Sequence, residues 1–219
     1  MTTPITPIET HYAGCRFRSR LEARWAVFFN HLGIPWDYEP QGYLVGHDRR
    51  PYLPDFFLPS ERLWVEVKGS EGQLDIPLLV DAVIPHTGLP ADPYGGTLQH
   101  PSQAGPRLLV LGSVQQPGRI DDRETKQHLG YGIPTHTVLH FWKGDITQGV
   151  VTFDEGGLTV HPDDGLIGND SPQINWDTYR SRWGNFTGGG VCLTETYSKE
   201  VIEAYRAARS ARFEHGEKG

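Results

Sequence analysis

From residue 17 to residue 32 the chain reads FRSRLEARWAVFFNHL, and its large apolar residues recur at Leu21, Trp25, Phe28, Phe29 and Leu32. Steps of three and four place them on one stripe of an α-helix. Gly33 and Pro35 follow as stop signals. The other side of this predicted helix carries Arg16, Arg20 and Arg24, and Glu22 lies among Arg18, Arg20 and Arg24.

Beyond the helix the period changes to two. Short strands are expected near 36–38 and 42–45. The segments YLPDFFLP (52–59) and RLWVEVKG (62–69) then flank Ser60-Glu61 and are rich in aromatic and β-branched residues. They read as an antiparallel hairpin. A loop centred on Ser60-Glu61 sets Leu58 against Leu63, Phe56 against Val65 and Asp55 against Glu66. Because strand side chains alternate, Asp55, Glu66 and Lys68 share one face, while Phe56, Leu58, Leu63, Val65 and Val67 share the other.

Further on, LDIPLLVDAVI (74–84) fits a helix with Pro77 in its first turn. Residues 85–106 are dense in Gly, Pro, Ser and Gln and read as a long loop. RLLVLGSV (107–114) is a continuous apolar run, the signature of a strand covered on both faces. Short strands are expected at 136–142, 148–153 and 157–161. Residues 198–213 form a second amphipathic helix, with Ser198 as its N-cap and Val201, Tyr205 and Ala208 inward. Arg206, Arg209 and Arg212 follow at every third position beside that face, either as phosphate contacts or as its solvated side.

Composition adjusts this picture. The chain has 219 residues, 37% of them hydrophobic, and a mean hydropathy of −0.46. No apolar run approaches the roughly 20 residues of a membrane span, and MTTPITPIET shows no basic-then-apolar leader. Cys15 and Cys192 form no CxxC pair, so a cytoplasmic location and no disulfide framework are expected. The net charge of −7 argues against a cationic nucleic-acid coat. Yet residues 144–178 hold seven acidic and no basic residues, and the rest of the chain balances at 20 against 20. The acidic stretch is expected to face away from any polyanion or to meet a basic partner.

The candidate chemistry lies at Pro54-Asp55 and, after ten intervening residues, Glu66-Val67-Lys68. Two carboxylates on adjacent strands can hold a hard divalent cation through oxygen, with the Val67 carbonyl as a further ligand. Lys68 points the same way and can orient a water or offset charge on a phosphoryl oxygen. Glu22 on the preceding helix is a candidate to complete the metal shell, and Arg16, Arg18, Arg20 and Arg24 to meet a phosphate backbone. The plainer reading is a hairpin whose Asp, Glu and Lys form a solvated charge cluster. His136 and His140, four apart on a strand, read as ordinary histidines rather than zinc ligands. No GKS/T follows Gly188-Gly189-Gly190, so it is a joint and not a phosphate loop.

The order of a helix, PD and ExK strands, a helical segment and a further strand resembles the PD-(D/E)xK nuclease superfamily. Within it, YAGCRFRSRLEARWAVFFNHLGIPWDYEP, YLPDFFLP and LWVEVKG are similar to small nuclease-like proteins of actinobacteria and their phages. There is some similarity to transposon-end endonucleases and Holliday-junction resolvases. The resemblance covers residues 12–114. It implies an α/β, restriction-endonuclease-like core (1–114), a mixed central sheet flanked by helices. A β-rich C-terminal extension with a terminal helix (115–219) would pack on that core. It also implies Mg²⁺ or Mn²⁺ held by Asp55 and Glu66, a catalytic Lys68, Glu22 as the helix glutamate, and endonucleolytic cleavage of DNA leaving a 5′-phosphate. Relatives that cut two strands as dimers make a homodimer the expectation. Gln73 is followed by Leu74-Asp75-Ile76-Pro77 and not by a Tyr four positions on, which departs from the exonuclease-like members. The alternative is a nuclease fold that binds DNA or protein without hydrolysis.

Overall fold

A computed structural model describes residues 8–94, 105–121, 125, 128–134, 136–142, 145–154, 157–160, 191–192 and 199–213. The chain opens with a hairpin, β1 (Thr10–Tyr12) and β2 (Cys15–Phe17), turned by Ala13 and Gly14 at φ 48° and 81°. Positive φ at both turn residues matches the twist of a two-residue hairpin. Helix α1 follows at Arg20–His31. It starts three residues into the 17–32 segment, because Ser19 caps it by accepting the Glu22 N–H. Arg16 therefore sits in β2 and Arg18 before the helix, not on the helical face assigned to Arg16 from the pattern.

Strands β3 (Asp37–Tyr38), β4 (Tyr43–Val45), β5 (Arg50–Tyr52), β6 (Phe56–Leu58) and β7 (Leu63–Val67) come next. The hairpin register is the expected one, Phe56 opposite Val65 and Leu58 opposite Leu63. The segment 52–59 is not one strand, however. Pro54 has no N–H for a ladder, and the chain changes partner around it. Tyr52 pairs with Tyr43 in the separate β4–β5 ribbon, and Phe56 begins β6.

Helix α2 (Ile76–Val83) has Asp75 as its N-cap and Pro77 in its first turn, and leads to β8 (Arg107–Leu111). β8 lies parallel to β7. Strands β9 (Gly118–Asp121) and β10 (His128–Pro134), which the pattern did not reveal, form a three-stranded sheet with β14 (Val191–Cys192). β11 (His136–Trp142), β12 (Asp145–Asp154) and β13 (Gly157–Val160) join the main sheet, whose order is β13-β12-β11-β8-β7-β6-β3. The sheet thus continues past residue 114 without a break. Helix α3 spans Lys199–Ser210; its expected cap, Ser198, lies outside the described residues.

This is a mixed α/β sheet covered on both faces. On one side α1 and α3 bury Trp25, Phe28, Phe29 and Tyr205 against Phe56, Val65, Leu109 and Phe153. On the other, α2 and the β4–β5 ribbon bury Leu79, Val83, Val45 and Tyr52 against Phe57, Trp64, Leu108 and Val110. The unbroken apolar run of β8 is explained by this, since its alternate residues enter different cores. Each fully buried side chain of this size is worth roughly 1.5–3 kcal/mol of transfer free energy. Among the described residues no helix is long and apolar enough to cross a membrane.

Candidate active site

Asp55 stands where the chain passes from the β4–β5 ribbon into β6. Its N–H donates to the Val65 carbonyl at 3.0 Å, and its carbonyl accepts the Glu39 N–H at 2.9 Å. These two bonds fix the backbone and turn the side chain toward the end of β7. There Oδ2 accepts the Val67 N–H at 2.7 Å and Oδ1 accepts Arg18 Nη2 at 3.2 Å. Glu66, in β7, accepts the Tyr52 hydroxyl on Oε2 at 2.8 Å and meets Lys68 Nζ on Oε1 at 2.5 Å. Lys68 Nζ is also 4.0 Å from Asp55 Oδ2. The three groups assigned to one face of the hairpin do converge.

Both carboxylates are nearly inaccessible, Asp55 at 2% and Glu66 at 4% exposure. Burial, followed by the nearby Glu66 charge, pushes the Asp55 carboxyl up to about 7; Lys68 and the Val67 N–H act in the opposite direction. Burial disfavours the Lys68 ammonium, but Glu66 and Asp55 more than offset this and hold its pKa above the ordinary lysine value. The Tyr52 hydroxyl is raised well above its usual range by burial and by Glu66, so it remains a hydrogen-bond donor.

Glu22 is placed beside this pair but is not joined to it. Its Oε1 accepts Ser19 Oγ at 2.7 Å, and its Oε2 accepts the Tyr38 hydroxyl at 2.6 Å and the Arg18 N–H at 3.1 Å. The Ser19-x-x-Glu22 spacing is that of a capping box, and the carboxylate is engaged at the helix start. Among the described residues no three His, Cys, Asp or Glu side chains are arranged to hold a metal ion. The expected third carboxylate lines the same cleft as Lys68 and helps raise the Asp55 pKa through its charge, with Arg18 between the two carboxylates.

No family model, curated protein or solved structure matches this chain. The chemistry of the site rests on its own donors. Each buried carboxylate has one oxygen held by a neutral donor, the Val67 N–H or the Tyr52 hydroxyl, and offers the other to a cation, Arg18 or Lys68. Together with the Val67 carbonyl this donor set suits a hard divalent cation.

The arginines divide. Arg18 reaches Asp55 and Glu39. Arg20 lines a cleft of about 600 Å³ together with Ser19, Glu22, Lys68, Ser70 and Gln73. Arg16 pairs with Glu9 on the exposed hairpin. Arg24 is half-buried in α1, and Arg206 is on the outer side of α3. Arg209 donates to the Val114 carbonyl at 2.9 Å, which ties α3 to the segment after β8. Arg24, Arg206 and Arg209 do not line that cleft.

Sequence reasoning missed Tyr38, Glu39 and Tyr52. Tyr52 directly precedes the Leu53-Pro54-Asp55 bend, Tyr38 ends β3, the edge strand paired to β6, and Glu39 follows it. His136 is a core histidine, as expected. Its Nε2 lies 2.5 Å from the Tyr205 hydroxyl, and burial lowers its pKa to about 3. Cys15 is a free thiol. Residues 144, 155–156 and 161–178 of the acidic stretch lie outside the described residues; 145–154 and 157–160 form β12 and β13, at the opposite end of the sheet from β6.

Proposed function

We propose that the protein is a metal-dependent endodeoxyribonuclease with a PD-(D/E)xK active site on a restriction-endonuclease-like core. The observation that carries the reading is the pair of buried carboxylates, each with one oxygen fixed and one turned to a cation, beside a lysine at the edge of an open cleft. Asp55, Glu66 and the Val67 carbonyl would hold Mg²⁺ or Mn²⁺. Bound there, the ion supplies Lewis acidity toward a phosphate oxygen and lowers the pKa of a coordinated water.

The remaining work falls to the chain. Tyr52 and the Val67 N–H hold the two carboxylates in orientation. Lys68, kept protonated by its neighbours, is a donor and not a base. Its ammonium steadies a water or a phosphoryl oxygen on which negative charge builds. Arg20, Ser70 and Gln73 give the cleft beside Lys68 the polar wall that a sugar-phosphate strand requires.

The test is conversion of supercoiled plasmid to nicked and linear forms with Mg²⁺, with EDTA, and with Asp55→Ala and Lys68→Ala. Cleavage only by the native chain with metal is the expected result. Undiminished cleavage by both variants would remove the assignment.

A further inference from the structure

The two cations on the carboxylates are not held alike. Arg18 has a fixed backbone and a largely exposed side chain. Its N–H lies 3.1 Å from Glu22 Oε2 and 2.9 Å from the Tyr38 hydroxyl, and the next residue caps α1. Its side chain is 55% exposed and divides between Asp55 Oδ1 and the Glu39 carboxylate. Glu39 is itself locked to Asp55. Its N–H donates to the Asp55 carbonyl, and it holds φ at 44°, a left-handed conformation that is strained for a side chain of this kind. The guanidinium can therefore leave Asp55 and stay at the site, because Glu39 keeps it.

The oxygens decide what happens when a cation arrives. Asp55 Oδ2 is committed to a backbone N–H in β7, so Oδ1 is the atom available to a ligand, and Oδ1 is where Arg18 sits. We infer that Arg18 is a place-holder. It occupies Asp55 Oδ1 until a divalent cation takes that oxygen, and the released guanidinium, still tethered by Glu39, then grips a phosphate of the substrate. A planar fork with several donors suits both duties. Metal loading and substrate binding are coupled through this one side chain. The inference rests on the metal-dependent reading above.

Calorimetric titration of the full chain with MnCl₂ tests the first half without any turnover. Arg18→Gln keeps the backbone contacts and removes the charge. It is expected to bind Mn²⁺ on the order of tenfold more tightly than the native chain, since a competing cation at contact distance is gone. Arg18→Lys restores a charge and is expected to return the affinity toward the native value.

The second half is read from binding of a fluorescein-labelled DNA duplex in CaCl₂ across a range of KCl. The slope of log affinity against log salt should fall by about one in Arg18→Gln, as for one lost phosphate contact, and not in Arg18→Lys. Unchanged or weaker Mn²⁺ binding in Arg18→Gln overturns the place-holder. So does a lysine variant that behaves like the glutamine one, or a salt slope that does not move. If the native chain binds no Mn²⁺ at all, the nuclease reading falls with it. Native binding with no effect of Arg18→Gln overturns this inference alone.

Discussion

Asp55→Asn should make the metal-free protein more stable at alkaline pH. A carboxyl whose pKa rises from 3.8 to about 7 on folding binds its proton more tightly in the folded state. Its favourable contribution is complete below about pH 4 and is lost as pH rises through about 7. The resulting penalty at pH 8 is on the order of 4 kcal/mol. Asparagine carries no charge and can still accept the Val67 N–H. The variant should therefore match the native chain near pH 4 and exceed it by about 2–4 kcal/mol at pH 8. The native profile alone would conceal this. His136, lowered to about 3 by burial, contributes with the opposite sign. Its contribution is complete above about pH 6.5 and is lost as pH falls toward 3, so the two slopes oppose each other between about pH 4 and 6.5. Subtracting native from variant cancels His136. The assay is urea unfolding in EDTA at pH 4.5, 6 and 8, followed by tryptophan fluorescence. Saturating Mn²⁺ should then narrow the difference at pH 8, adding about 2.7 kcal/mol to the native chain at a hundredfold excess over Kd and little to the variant. An asparagine variant less stable at pH 8, or a difference that does not widen with pH, would refute the placement of Asp55 as a buried, cation-seeking carboxylate.

Three further outcomes are expected. Tyr52→Phe removes the hydroxyl that Glu66 Oε2 accepts; it should cost about 1.5–3 kcal/mol in urea unfolding and weaken Mn²⁺ binding in the same preparation. Lys68→Ala should lower plasmid cleavage by about 10²–10⁴-fold while calorimetric Mn²⁺ affinity holds or rises, since the ammonium competes for Glu66 Oε1. Loss of Mn²⁺ binding in that variant would make Lys68 structural. Gly88→Ala tests the fold: its Cβ would stand 2.4 Å from the Ala82 carbonyl oxygen, and a melting curve should show a loss of about 1–3 kcal/mol.

The central hairpin was legible because its information is local. Period-two alternation on both sides of Ser60-Glu61 fixes which side chains share a face, and the register of Phe56 and Val65 follows. Helix α1 was legible from its stripe, but its start was not. The hairpin before it carries Arg16, and the Ser19-x-x-Glu22 cap, a signal present in the sequence, engages Glu22 at the helix start. Tyr38, Glu39 and Tyr52 were hidden for a different reason. Their nearness to Asp55 and Glu66 follows from β3 pairing with β6 and from the bend at Pro54. Neither is encoded in spacing along the chain. The same holds for β11, whose antiparallel pairing with β8 carries the sheet past residue 114.

Charge can now be weighed by place and not by total. Fully ionised, the network around Asp55 contains Glu22, Glu39, Asp55 and Glu66 against Arg18 and Lys68, a deficit of two positive charges. One divalent cation closes that deficit, so a loaded site presents no net repulsion to a phosphate. The acidic strands do not reopen the question. β12 and β7 are separated by β11 and β8, three strand spacings, or about 14 Å. Between solvent-exposed charges that exceeds the screening length of roughly 8 Å at physiological salt. The backbone of β12 and β13 therefore carries that part of the acidic stretch toward the opposite edge of the sheet. For Asp145 and Asp154, the two acids of that stretch on described strands, the strand order and not the composition sets the distance from the proposed site.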